Sequence, residues 1–79
     1  MAIAYILLNC ELGSEESIIQ QLKNMNCVTE VHGTFGAYDI LAKVESTTVE
    51  TLREIITRNI RKIDHIRSTL TLMGIDGQT

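Results

Sequence analysis

The residue of this sequence best placed to do chemistry is a single carboxylate, Asp39, which follows Gly36, Ala37 and Tyr38 where a strand-like run begins. A charge there can fix a ligand ammonium, while backbone amides exposed by the preceding turn meet a carboxylate. The same carboxylate has an ordinary structural use, which is to accept backbone N–H bonds and close a hairpin. Gly36 suits a turn that needs positive φ. Thr69 and Thr71 lie two positions apart on a strand, so their hydroxyls share a face and can bind a polar ligand, although threonines so spaced are common in sheets.

Catalytic and metal chemistry is poorly served. His32 and His65 have no serine or cysteine nucleophile in a recognisable arrangement, and a lone histidine in a small domain is more often a surface group than a base. Cys10, Cys27, His32 and His65 show neither CxxC nor HxxxH spacing, so no metal and no cofactor are expected. Without a secretory signal the two cysteines read as reduced thiols, and a cytoplasmic protein is expected.

The elements that must carry these residues follow from periodicity. Ile3, Tyr5 and Leu7 alternate with Ala4, Ile6 and Leu8, which predicts a strand apolar on both faces. Ser14 offers a helix N-cap, with Glu15 and Glu16 at the positive end and Ile18, Ile19, Leu22 and Met25 on one face. Cys27 to Phe35 is rich in β-branched residues and predicts a second strand, with a turn near Gly36 and Ala37. Tyr38 to Glu45 predicts the returning strand, with Ile40, Ala42 and Val44 inward. Thr47 and Glu50 have capping-box spacing ahead of a helix carrying Val49, Leu52, Ile55, Ile56 and Ile60. Ile66 to Met73 is the last strand, with Ile66, Leu70 and Leu72 set against Arg67, Thr69 and Thr71, and Gly74 and Gly77 close it.

That order is βαββαβ, an α+β ferredoxin-like domain with a four-stranded antiparallel sheet and two helices on one face. A chain of 79 residues is one domain with a small core and gains from association. The first strand is apolar on both sides, and the last is expected to present Thr69, Thr71 and Met73 on the uncovered face. That face predicts a dimer. A net charge of −3 opposes unaided nucleic-acid binding. The one basic cluster, Arg58, Arg61, Lys62 and Arg67, reads as cations complementing a helix C-terminus. Nothing in the sequence predicts a membrane-spanning segment.

The run Val31, His32, Gly33, Thr34, Phe35, Gly36, Ala37, Tyr38, Asp39, Ile40 and the ending Ile66 to Met73 with its spaced hydroxyls resemble the effector-binding domain of the leucine-responsive and asparagine-responsive (Lrp/AsnC) regulators. The resemblance covers nearly the whole chain. It implies a small-molecule effector, an amino acid or a similar zwitterion, held between neighbouring dimers. Thr34, Gly36, Ala37, Tyr38 and Asp39 would line one wall, and Thr69 or Thr71 the other. Family members usually carry a helix-turn-helix domain ahead of this one, whereas Met1 here lies at the first strand. The resemblance is therefore to a stand-alone effector domain spanning residues 1–79, without direct DNA binding, whose partners would be its own copies and full-length regulators of the same family. The family's proline or glycine-valine approach to the last strand is replaced by Asp64, His65 and Ile66.

Two other functions fit the same fold. One is a cofactor-independent dimeric α+β enzyme using His32 or His65 as proton carrier, which the single phenylalanine, Phe35, and the scarcity of other aromatic residues oppose. The other is a purely structural assembly module.

Overall fold

The structure is a computed structural model, and it describes residues 1–74. Gly77, expected to help close the last strand, lies outside the described residues. Strands β1 (Ala2–Cys10), β2 (Val28–Gly33), β3 (Ile40–Ser46) and β4 (Ile66–Met73) form one sheet in the order β2-β3-β1-β4, every neighbouring pair antiparallel. Helix α1 (Glu15–Lys23) follows β1, and α2 (Val49–Ile55) follows β3 and runs on into a π-helical turn, Ile56–Ile60.

Strand alternation decides which residues meet the helices. Ala2, Ala4, Ile6, Leu8 and Cys10 of β1 are buried, as are Ile40, Ala42 and Val44 of β3. They pack in one core with Ile18 and Leu22 of α1, Leu52 of α2, Ile56 and Ile60 of the π-helical turn, and Ile63. This is the expected ferredoxin-like arrangement. The uncovered face of the sheet carries Ile3, Tyr5 and Leu7 of β1, Leu41 and Lys43 of β3, and Leu70 and Leu72 of β4.

The content of that face corrects the sequence-based expectation for β4. Ile66 pairs with Cys10, whereas Ser68 pairs with Asn9, so the register shifts around Arg67. A one-residue shift moves every later side chain to the other face. Ile66, Thr69, Thr71 and Met73 therefore lie on the helical side, opposite Cys10, Leu8, Ile6 and Ala4, while Leu70 and Leu72 look outward.

Helix ends also differ from expectation. Thr48 rather than Thr47 caps α2: its hydroxyl accepts from the Thr51 amide at 3.1 Å, and Glu50 has no part in the cap. Ser14 occupies the N-cap of α1 without a side-chain bond. The Glu15 carboxylate instead accepts from the Gly13 amide at 2.9 Å.

Candidate ligand-binding crevice

Three segments meet where β1 ends. The Asp39 amide donates to the Leu8 carbonyl at 2.9 Å, and the Cys10 amide donates to Asp39 Oδ2 at 3.1 Å. Asp39 thus extends the β1–β3 ladder with its side chain, pairing an amide beyond the Leu8–Ile40 pair. On the other side of β1, the Asn9 side-chain amide donates to the Ser68 hydroxyl at 3.3 Å, next to the β4 irregularity at Arg67. Asn9, Cys10, Asp39, Arg67 and Ser68 together line a crevice of about 450 Å³.

The loop entering β3 is held by its own polar groups. The Thr34 amide donates to the Asp39 carbonyl at 2.8 Å, and the Thr34 hydroxyl donates to the Tyr38 carbonyl at 2.7 Å. Gly36 has φ of +126°, a conformation that strains any residue with a Cβ. Strands β2 and β3 therefore stop at Gly33 and resume at Ile40, shorter than the Cys27–Phe35 and Tyr38–Glu45 expected. Phe35 at the loop tip is fully exposed, as is Leu12 in the segment after β1, so two large apolar side chains stand at the crevice end of the sheet.

The segment entering β4 is fixed to the same end. The Glu11 amide donates to the His65 carbonyl at 2.8 Å, and the Glu11 carboxylate meets His65 Nδ1 at 2.6 Å. His65 has φ of +74°, in the left-handed region that histidine adopts more readily than most side chains. This clamp turns the chain into β4 and delivers Arg67 to the crevice.

Chemically, the crevice offers a carboxylate from Asp39, a guanidinium from Arg67, and neutral donors and acceptors from Asn9 and Ser68. Burial, reinforced by the negative charges of Asp39 and then Glu15, pushes the Cys10 thiol above its ordinary value. Its Sγ lies 3.9 Å from an oxygen of each. A thiol held neutral in this way is a structural group, not a nucleophile.

Of the residues expected from sequence, Thr34, Gly36, Ala37, Tyr38 and Asp39 are brought together in one loop, and Asp39 reaches the crevice. Thr69 faces the helices opposite Leu8. Thr71 is farther along β4 and lines a different crevice, with Arg53, Ile56, Thr57, Arg61 and Met73. Asn9, Ser68 and Arg67 were not anticipated. Arg67 does not complement a helix end, as its place in the basic cluster suggests; it belongs to β4. Its position immediately after the His65–Ile66 entry to a strand was the available signal.

A four-stranded antiparallel sheet, helices on one face, and a polar crevice where two strand ends meet define the class as a small-molecule-binding α+β domain. The chain belongs to the Lrp/AsnC ligand binding domain family, whose model matches residues 3–76. Among known proteins it is 35% identical over 60 residues to the regulatory protein AsnC of Haemophilus influenzae, covering 76% of this chain and 40% of that protein. A hypothetical protein of Pyrococcus horikoshii has a crystal structure that superposes with a TM-score of 0.90 at 36% identity, over 95% of this chain and 90% of that one. Escherichia coli AsnC superposes with a TM-score of 0.89 at 26% identity, over 99% of this chain and 53% of that one. The chain thus spans about 40% of the curated relative's length but nearly all of the archaeal structure. The family is one of regulatory ligand-binding domains, not of enzymes.

Proposed function

We propose that this chain is an effector-binding module that takes a free amino acid into the crevice of Asn9, Cys10, Asp39, Arg67 and Ser68. The observation that carries this reading is the presence of Asp39 and Arg67 on one crevice. A zwitterion needs an anion for its ammonium and a cation for its carboxylate, and charge-assisted bonds of this kind are the strong ones. The loop of Gly36, Ala37 and Tyr38 covers the Asp39 side, and residues from a neighbouring dimer complete the pocket, with Phe35 and Leu12 as the apolar contacts between dimers. Thr69 and Thr71 belong to the far wall in the family-based arrangement; their helical-side positions favour Arg67 and Ser68 in that role.

The smallest assembly is a dimer joined through the uncovered sheet face, where Ile3, Tyr5, Leu7, Leu41, Leu70 and Leu72 form an apolar patch. Patches of this kind on small domains mark association surfaces. Regulation proceeds by changing that assembly, or its co-assembly with full-length regulators, and not through DNA contacts of this domain, since the net charge is −3 and its one run of cations, Arg58, Arg61 and Lys62, is small. A gel-shift titration at moderate salt is expected to show no sequence-dependent complex.

Calorimetry against the twenty amino acids tests the site. Asp39 also caps the Cys10 amide, so Asp39→Asn is the informative variant: it keeps an acceptor for that amide while removing the charge. Loss of one charge-assisted bond should weaken binding about tenfold to a hundredfold. Equal affinity in Asp39→Asn and the unaltered protein would make Asp39 a strand cap alone, and binding of no amino acid would favour a structural assembly module.

A further inference from the structure

The crevice that holds Thr71 lies at the other end of β4 from Arg67, on the helical side of the sheet. It is lined by Arg53, Ile56, Thr57, Arg61, Thr71 and Met73 and encloses about 250 Å³. We propose that it is a second, separate ligand site, built for a small organic carboxylate with a short apolar tail.

The π-helical turn aligns one side of this crevice. Arg53, Thr57 and Arg61 are spaced by four, and in a regular α-helix four residues overshoot a full turn by about 40°. Two such steps would carry Arg61 well round the helix from Arg53. Between Ile56 and Arg61 the turn widens, and the Arg61 amide donates to the Ile56 carbonyl at 2.9 Å, five residues back. A wider turn takes more residues per revolution, which cancels the overshoot and keeps all three side chains over the same edge of the sheet. Single π-helical turns inside α-helices occur frequently at functional sites.

The second wall supplies an independent sign. The Thr71 hydroxyl is sealed from solvent and has no hydrogen-bond partner among the described residues. A buried polar group without a partner calls for an occupant, because leaving it bare is costly. Arg53 and Arg61 make no ion pair among the described residues, so the crevice is flanked by two uncommitted guanidinium groups. Both are exposed, so side chains at the rim are free to move, and a small shift of the lining would admit an acceptor oxygen to the hydroxyl. Ile56 and Met73 give the crevice an apolar component that a bare inorganic anion would leave unused. Guanidinium forks match the two oxygens of a carboxylate, and the volume suits a molecule of a few carbon atoms.

Titration of the full chain with butyrate, followed by amide and methyl NMR, tests this assignment. Saturable shifts are expected at Thr71, Met73 and Thr57, larger than with inorganic phosphate and not reproduced by chloride at matched ionic strength. Arg53→Gln and Arg61→Gln, both surface changes that leave the core intact, should each weaken butyrate about tenfold or more. Thr71→Val should weaken butyrate while raising the thermal midpoint of the unliganded protein, since it removes an unpartnered hydroxyl. A hydroxyl that is merely buried would give the second effect without the first. The assignment is overturned if butyrate produces no saturable shift, if affinity is unchanged in the Arg53→Gln/Arg61→Gln double variant, or if the shifts centre on Asn9, Asp39 and Ser68. Amino-acid binding at the Asp39 crevice is read from a different set of resonances, so either site can fail alone.

Discussion

The two faces of the sheet are made by the same strands, residue by residue, yet they end in opposite states. On the helical face Ala4, Ile6 and Leu8 have no accessible surface, while on the other Tyr5, Leu70 and Leu72 are 41%, 42% and 50% exposed. One face is a finished core. The other carries Ile3, Tyr5, Leu7, Leu41, Leu70 and Leu72 without a cover among the described residues, and charges are woven into it: Glu45 lies opposite Ile3, and Lys43 lies 3.6 Å from Glu30 and 6.0 Å from the Tyr5 ring centre. In a domain this small, the apolar side chains left open on that face, Tyr5, Leu70 and Leu72 foremost, add to stability in full only where something covers them.

The largest expected effect tests the finished face. Leu8→Ala should destabilise by about 2–5 kcal/mol, the range for truncating a fully buried leucine, and chemical denaturation measures it directly. Leu72→Ala is the matched change on the open face. In dilute protein it should cost under about 1 kcal/mol, as a partly exposed side chain does, and the cost should grow with protein concentration if copies cover that face. Leu72→Asp should go further and halve the mass seen by light scattering. A concentration-independent cost for Leu72→Ala, together with an unchanged mass for Leu72→Asp, would mean that the open face is simply solvated. The smallest effect concerns Cys10, on the finished face. Its folded-state pKa is raised above the unfolded one by burial and by Asp39 and Glu15. The neutral thiol's contribution is therefore complete below the ordinary thiol value near 9.0 and is lost as pH rises through the higher folded value. Urea midpoints should fall more steeply as pH rises from about 9.0 for the unaltered protein than for Cys10→Ala.

The same contrast separates what was legible in the sequence from what was not. Ile40, Ala42 and Val44 alternate without interruption, so the inward face of β3 follows from spacing alone, and the uninterrupted β1 is as plain. The facing of β4 does not follow, because the extra residue at Arg67 shifts the register and no local pattern in Ile66 to Met73 announces it. The π-helical turn was hidden for a similar reason: Ile55, Ile56 and Ile60 satisfy an α-helical stripe as well as the wider turn. In the candidate crevice, Asp39 could be singled out by its charge at a strand start. Asn9 and Ser68 could not, since they meet across 59 positions of sequence and only sheet pairing brings them together.

The strand order sets a sequence of events in time. β1 precedes the other three strands of the sheet and takes an inner place in it, but its partners are β3, from Ile40 onward, and β4, which ends at Met73. During synthesis its double-sided apolar run waits, unpaired on both edges until β3 is made and on one edge until β4 follows at the end of the described chain. Long-range antiparallel pairings of this kind close slowly, and exposed strands can pair with the wrong neighbour in the interval. A nascent chain halted before Ile66 would display β1 with one edge open, and such truncated products are where aggregation of this protein would begin.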